Sequence, residues 1–220
     1  RMDFLNHQKT FYETTSEAAK TAQDKAYLVA APGDAKRLEA FLMMLKRHRI
    51  DAFALARDTN GFKAGEAFVI PADQNQHRLI RGIFDRLTEF PRDSFYDISG
   101  WTLPFAFGLK FEALSRRSSN LLGERWDAPS FAASSPQENA VGYVLDWRGY
   151  YAPRALYRLL HAGVRVRATT LAMTVDTPNG QINLDPGALV ITPGNNDRGV
   201  ASNLLPLLDK IAREDGVVSY

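Results

Sequence analysis

The stretch "EAFVIPADQNQ" at residues 66–76 has a counterpart in "GALVITPGNND" at residues 187–197. Each begins with a short apolar run typical of a buried strand and continues through proline or glycine into a series of Asp, Asn and Gln side chains. Apolar residues at helical spacing follow each stretch. We therefore expect the two stretches to occupy equivalent places in two similar structural units.

The chain around the first stretch predicts the order strand, helix, strand, strand, helix. Predicted strands cover residues 25–31, 50–56 and 66–72, and a second helix begins near Leu79. Asn60-Gly61 predicts a turn between the second and third strands. The first helix carries one apolar stripe at i, i+3, i+4 and i+7, formed by Leu38, Phe41, Leu42 and Leu45.

The chain around the second stretch predicts the same order of elements. Strands are expected at residues 141–147, 164–170 and 188–193, with a helix that ends at Gly163 after the first of them. A hairpin over residues 173–185, turning at Asn179-Gly180, takes the place of the shorter turn in the first half. The sequence thus predicts two similar βαββα halves.

Strands that alternate with amphipathic helices favour right-handed crossovers and a covered sheet. The predicted fold class is α/β, with mainly parallel sheets, flanking helices and a Rossmann- or flavodoxin-like arrangement. The predicted organisation is a lead-in helix over residues 1–24, a first α/β half over 25–114, a polar loop or linker over 115–139 and a second α/β half over 140–220.

Composition narrows the classes of partner. The 220 residues include 27 Lys and Arg against 25 Asp and Glu, so the chain lacks the basic excess typical of nucleic-acid binding. No apolar run has the length of a membrane span. We therefore predict that this chain neither binds nucleic acid nor spans a membrane.

Polar side chains follow several predicted strands and mark candidate ligand-binding turns. In open parallel sheets, ligands bind beyond the carboxyl ends of the strands, and amides and carboxylates there suit a peptide or a cell-wall sugar. Asn and Asp are also the residues that turns and helix caps require, so a purely structural role stays open. The candidates are Asp73, Gln74, Asp146, Trp147, Asn195, Asn196, Asp197 and Arg198.

Known catalytic patterns are missing from the sequence. It contains no cysteine and no G-x-S-x-G, and none of its four histidines begins an H-x-x-E or H-E-x-x-H pattern. We predict no catalytic residue, metal ligand or cofactor in this chain. An acid/base pair formed by Asp146 and Asp197 remains as an alternative, which would make the chain a hydrolase.

Two apolar segments exceed what local packing needs. The lead-in helix contains Phe4 and Phe11, and the segment "GWTLPFAFG" at residues 100–108 contains Trp101 and Phe105. We expect these four residues to contact a neighbouring domain.

Three long segments, "GEAFVIPADQNQHRLIRGIFDRLTEF" at 65–90, "FYDISGWTLPFAFGL" at 95–109 and "GYVLDWRGYYAPRALYRLL" at 142–160, resemble the downstream region of large bacterial zinc carboxypeptidase-like proteins of the carboxypeptidase A class. The resemblance implies a secreted or periplasmic parent protein with an upstream peptidase domain that holds the zinc. The H-x-x-E ligand pair of that family cannot be placed on this chain.

The resemblance therefore implies a non-catalytic accessory module that supports the peptidase domain or positions its substrate, with that domain as the principal partner. A glutamine-amidotransferase-like domain is associated with such proteins, so the resemblance also names that fold as a possibility for the α/β halves. A module that binds peptide or cell-wall sugar is the alternative function.

Overall fold

The computed structural model describes residues 2–86, 102–116, 118–127, 135–177 and 180–220. The chain divides into two compact units, Arg1–Pro129 and Ser130–Tyr220. We call them the first unit and the second unit. The division falls inside the segment predicted as a polar loop or linker.

The first unit is built around a five-stranded sheet in the order β4-β1-β3-β2-β5, in which all neighbouring strands are antiparallel. Its elements in chain order are α1 (Met2–Thr21), β1 (Ala26–Ala30), α2 (Ala35–Arg47), β2 (Phe53–Leu55), β3 (Ala67–Pro71), α3 (His77–Phe84), α4 (Leu103–Ala106), β4 (Lys110–Leu114), a 3-10 turn (Ser119–Leu121) and β5 (Leu122–Arg125).

Local sequence signals explain where α2 and the β2–β3 connection lie. Asp34 caps α2, because its carboxylate accepts a hydrogen bond from the Arg37 N–H at 2.9 Å. Gly33, just before the cap, has a φ of +77°, which favours glycine. Asn60 and Gly61 both have positive φ, as a tight hairpin turn requires.

Both faces of the first sheet are covered. The predicted stripe of α2 is buried, and with α3 it packs on one face of the sheet against Tyr27, Val29 and Ile70. On the other face, Leu28 and Val69 pack against Phe62 of the β2–β3 connection and other buried residues. This double burial explains why β1 is apolar throughout and buried at all five positions.

Among the described residues, the buried side chains of α1 lie in its C-terminal half. Its buried residues are Thr15 and Ala19, and α3 is the helix that it contacts. Although α1 spans 20 residues, neither it nor any other helix in the described ranges is apolar enough to cross a bilayer.

The second unit contains a three-stranded sheet in the order β6-β10-β7 and a separate two-stranded hairpin, β8-β9, with all pairs antiparallel. Its elements are β6 (Tyr143–Leu145), α5 (Ala152–His161), β7 (Val166–Ala168), β8 (Met173–Thr177), β9 (Gly180–Leu184), β10 (Leu189–Ile191), a 3-10 turn (Pro193–Asn195), α6 (Arg198–Ser202) and α7 (Leu204–Asp215).

The second sheet is also covered on two sides. Tyr143, Leu145 and Ile191 lie in one cluster with apolar residues of α5 and α7, while Val144 and Val190 pack against the β8–β9 hairpin. Gly163 follows α5 with a φ of +77°, as its predicted role in ending that helix requires. Of the predicted hairpin turn, Asn179 lies outside the described residues.

The prediction of a mainly parallel, Rossmann- or flavodoxin-like sheet is wrong. In the first unit β1 and β2 do run in the same direction, but β3 lies between them and is antiparallel to both. The reason is that no helix separates β2 from β3. A strand that follows another through a turn pairs with it antiparallel, whereas parallel neighbours need a long crossover. In the second unit β10 lies between β6 and β7 in the same way.

The segment predicted as a linker over residues 115–139 contains a strand. β5 pairs with β2, with Phe53 opposite Arg125, and forms one edge of the first sheet. β5 therefore belongs to the first unit, although its sequence, "LGER", is too short and too polar to suggest a strand.

Candidate functional site

A cleft of about 420 Å³ lies beside β7 and the end of β10 in the second unit. We call it the arginine cleft. Its size is within the range of small-molecule sites. It is lined by Arg165, Arg167, Val190, Thr192, Gly194, Asn195, Asn196 and Asp197.

The alternation of residues in β7 places both arginines in the cleft. Side chains of a strand point alternately to its two faces. Val164 and Val166 pack with the cluster under α5 and α7, so Arg165 and Arg167 belong to the opposite face. Both arginines are exposed. The sequence "VRVR" at residues 164–167 thus accounts for a pair of guanidinium groups on one side of an edge strand.

The turn after β10 is held by the side chain of Asn196. Its Oδ1 accepts a hydrogen bond from the Arg165 N–H at 2.7 Å, and its Nδ2 donates to the Thr192 carbonyl at 2.9 Å. Both atoms of this amide are therefore used within the protein. The neighbouring Asn195 is exposed, and its side chain makes no hydrogen bond within the described ranges. Asn195 is thus the amide that is free to contact a ligand.

The arginine cleft has an excess of positive charge. Its single carboxylate, Asp197, lies 3.9 Å from Arg165, at the limit of an ion pair and with both side chains largely exposed. No carboxylate within the described part of the chain forms an ion pair with Arg167. Two arginines against one aspartate leave a net charge of +1 among the lining residues.

Asp146 and Trp147 lie at the other end of the same sheet. The Asp146 carboxylate accepts hydrogen bonds from Arg148 at 2.7 and 3.0 Å, and these bonds hold the pKa of Asp146 below its usual value. Arg148 also binds Asp185 at 2.9 Å. The Trp147 indole lies against Gly187, where a Cβ would sit 3.8 Å from the ring. These contacts fix the β6–α5 turn to the β9–β10 turn.

The antiparallel register separates these residues from the arginine cleft. Leu145, the last residue of β6, pairs with Leu189, the first residue of β10. Asp146 therefore follows one end of the sheet while Asn195 follows the other. The two groups would have met only if β6 and β10 had run in the same direction. This separation also removes the acid/base pair of Asp146 and Asp197.

Asp73 and Gln74 belong to the first unit. The Gln74 amide accepts from the Asp51 N–H at 2.7 Å and donates to the carbonyls of Asp51 at 2.9 Å and Pro71 at 2.8 Å. It therefore joins the end of β3 to the chain that leads into β2. Asp73 is exposed and lines a small crevice of about 70 Å³ with Tyr12 and other polar residues.

The same bonding pattern therefore occurs once in each unit. In each unit an amide side chain lies in the turn after the central strand of the sheet, which is β3 or β10. The amide donates to a carbonyl at or just after the end of that strand. It also accepts from the backbone N–H just before the neighbouring strand, which is β2 or β7. Gln74 does this for Pro71 and Asp51, and Asn196 does it for Thr192 and Arg165.

The residues predicted to contact a neighbouring domain are exposed where the structure describes them. Phe4 is 63% exposed. Phe11 is covered on one face by the Arg78 guanidinium, 4.6 Å from the ring centre. Phe105 contacts Phe111, with 4.9 Å between ring centres. Trp101 lies outside the described residues.

Arg165 and Arg167 were not among the predicted site residues, although the alternation of "VRVR" places them together on one face. Arg198, which was predicted, begins α6 and does not line the arginine cleft. Within the described ranges, no three His, Cys, Asp or Glu side chains are grouped closely enough to hold a metal ion.

Comparisons with models of protein families, with curated proteins and with solved structures found no match to this chain.

Proposed function

We propose that the chain is a non-catalytic accessory module whose second unit binds a carboxylate group of a peptide. The observation that carries the proposal is the arginine cleft, in which Arg165 and Arg167 project from one face of an edge strand and Arg167 has no carboxylate partner within the described residues. The role as an accessory module of a zinc carboxypeptidase-like protein rests on the sequence resemblance.

Guanidinium groups favour this ligand chemistry. An arginine binds a carboxylate through two parallel hydrogen bonds, and bonds of this charged kind are about twice as strong as neutral ones. Asn195 supplies both a donor and an acceptor at the same cleft. The exposed side chains of Arg165 and Arg167 are two residues apart, so their backbone attachment points are separated by about 6.7 Å along the strand.

Peptide is favoured over a neutral sugar because the unbalanced groups of the cleft are cationic. Sugar sites depend on stacking rings and neutral hydrogen-bonding groups, and no aromatic side chain lines the arginine cleft among the residues described there. A hydrolase that uses Asp146 with Asp197 is not favoured, because Asp146 is held by Arg148 at the opposite end of the sheet.

The test measures fluorescence anisotropy of a labelled alanine pentapeptide with a free C-terminal carboxylate, of its C-terminally amidated analogue and of an amidated analogue with one internal glutamate. We expect the amidated all-alanine peptide to bind least. The other two peptides separate the two sources of a carboxylate, the chain terminus and an acidic side chain. Arg167→Gln should weaken binding by roughly 10- to 100-fold, the loss expected for a charged hydrogen bond.

Arg213→Gln is the matched control, because Arg213 is an exposed arginine of the same unit, pairs with Asp209 on α7 and does not line the cleft. Its affinity should equal that of the unaltered chain. Equal binding of all three peptides, or equal effects of the two arginine substitutions, would refute the proposal. If the chain binds a neutral cell-wall disaccharide but none of the three peptides, the sugar-binding alternative replaces the proposal.

A further inference from the structure

The two sheets share a strand order but differ at one edge. In both units the central strand lies between the two strands that precede it, giving β1-β3-β2 and β6-β10-β7. In the first unit β4 covers the outer edge of β1 and β5 covers the outer edge of β2. In the second unit the C-terminal residue Tyr220 exchanges two backbone hydrogen bonds of 2.9 Å with Val144 and so covers β6.

Of the four outer strand edges compared, that of β7 is left to consider. No strand within the described ranges pairs with it, and β7 is the end strand of its sheet. The Thr169 N–H donates to the Ala188 carbonyl and the Arg165 N–H donates to Asn196, so the backbone groups of residues 165, 167 and 169 are directed to the β10 side. Because directions alternate along a strand, those of Val166 and Ala168 point to the open edge.

We infer that the open edge of β7 binds an acidic peptide as an additional antiparallel strand. The inference rests on the proposed function and gives the ligand a backbone conformation and a sequence pattern. Backbone hydrogen bonds to Val166 and Ala168 would supply affinity, and Arg165 and Arg167 would supply selectivity for acidic side chains at alternate positions.

The first unit contains the corresponding arrangement with the charges reversed. β5 adds antiparallel to β2, and its Arg125 forms an ion pair of 2.6 Å with Asp51. Asp51 corresponds to Arg165, because each donates its backbone N–H to the amide of the turn after the central strand. An added strand at β7 would therefore carry carboxylates where β5 carries an arginine.

Charge also explains why the edge selects its partner. Exposed edge strands pair readily with other chains, and charged side chains on the edge are one way in which proteins prevent this. Arg165 and Arg167 repel a basic strand, and a neutral strand would leave their charges uncompensated. An acidic strand instead supplies two ion pairs. Residues of the peptide opposite the arginines form non-hydrogen-bonded pairs, in which facing side chains are closest.

The experiment uses a fluorescein-labelled peptide, Val-Glu-Val-Glu-Val, whose glutamates would face Arg165 and Arg167 and whose central valine would face Val166. N-methylation of the central valine removes an N–H that bonds to β7, and should weaken binding roughly tenfold. N-methylation of the second glutamate is the matched control and should leave affinity within about twofold, because that N–H points away from β7.

On the protein side, Ala168→Pro removes an outward N–H at an exposed position of an edge strand, where proline is tolerated. It should weaken binding about fivefold while the thermal unfolding midpoint is kept. If both N-methylated peptides bind equally while Arg167→Gln still weakens binding, the strand inference is wrong and the carboxylate proposal stands. If the peptide does not bind at millimolar concentration, both are wrong.

Discussion

A buried carboxylate at the end of α7 offers the strongest test of what holds the second unit together. The Asp215 side chain has no exposed surface and lies 2.6 Å from Arg154 Nε and 3.0 Å from Arg158 Nε, both on α5. A negative charge in the last turn of a helix opposes the helix dipole. The two arginines must therefore compensate both for that repulsion and for the loss of hydration.

The expected magnitude depends on which partner is removed. Replacing both arginines with methionine keeps their apolar stems but leaves Asp215 buried and unpaired, which should cost about 3–5 kcal/mol. Asp215→Leu leaves the arginine side chains, which are 43% and 24% exposed and so still reach water. Arg158 also keeps its ion pair with Glu214 at 2.7 Å. The second change should therefore cost less, about 1–3 kcal/mol.

A triple variant that combines Arg154→Met, Arg158→Met and Asp215→Leu decides between pairing and packing. If the cost of the double variant comes from the stranded carboxylate, removing that carboxylate should restore most of the stability, because buried ion networks replaced by apolar groups are often as stable. If packing alone matters, the triple variant should be the least stable of all.

The assay is hydrogen exchange of the α7 amides, because a chain of two units need not unfold in a single two-state step. Arg213→Met, which removes the exposed guanidinium that pairs with the half-buried Asp209, is the control and should cost less than about 1 kcal/mol. A double variant no less protected than this control would refute the reasoning.

Three further predictions concern residues with assigned contacts. Burial raises the pKa of Tyr27 to about 12, so the unfolded state releases the phenol proton at a lower pH than the folded state does. The free energy of unfolding should therefore fall by up to about 2.7 kcal/mol as pH rises from 10 to 12. Tyr27→Phe should remove this loss, so the difference in stability between the two proteins should change as pH rises. A constant difference in thermal melts over that pH range would contradict the prediction. Gln74→Ala should cost about 1–3 kcal/mol in urea unfolding, because it leaves the part-buried backbone groups of Asp51 and Pro71 without these hydrogen bonds. Asp73→Ala at the exposed neighbouring position should change stability by less than about 0.5 kcal/mol. Asn196→Ala should lower the melting temperature of the second unit, while Asn195→Ala should lower peptide affinity alone; the reverse result would exchange their roles.

Periodicity located the secondary structure but not the direction of the strands. The stripe of Leu38, Phe41, Leu42 and Leu45 is buried as predicted, since helical spacing directly reflects which side of a helix meets the core. Strand direction depends on the connections instead. Asn60-Gly61 is a strong signal for a tight hairpin turn, and such turns join antiparallel strands, so the predicted parallel sheet was inconsistent with it. The insertion of β3 between β1 and β2 has no comparable local signal.

The candidate site was predictable only in part, because its residue types serve two purposes. Asn195 and Asn196 are adjacent and chemically identical, yet one amide is exposed and the other is bonded to Arg165 and Thr192. No composition rule separates them, since the difference arises from where β7 lies relative to the turn. The arginines were accessible to sequence reasoning, because alternation of valine and arginine over four residues predicts a strand with one apolar and one cationic face.

The repeated stretches can now be given a physical reason. In each unit the central strand must end beside the start of a strand that precedes it in the chain, and the backbone groups at that junction lack ladder partners. Gln74 and Asn196 supply both the donor and the acceptor that these groups need. One amide side chain in each turn therefore serves the fold itself, which gives a structural reason for a polar turn in both halves. The units then differ at the outer edge of the neighbouring strand, which β5 covers in the first unit and which lies next to two arginines in the second. Function in the second unit is thus to be sought at the edge of β7, with Asn195 beside the two arginines, whereas Asn196 serves the fold.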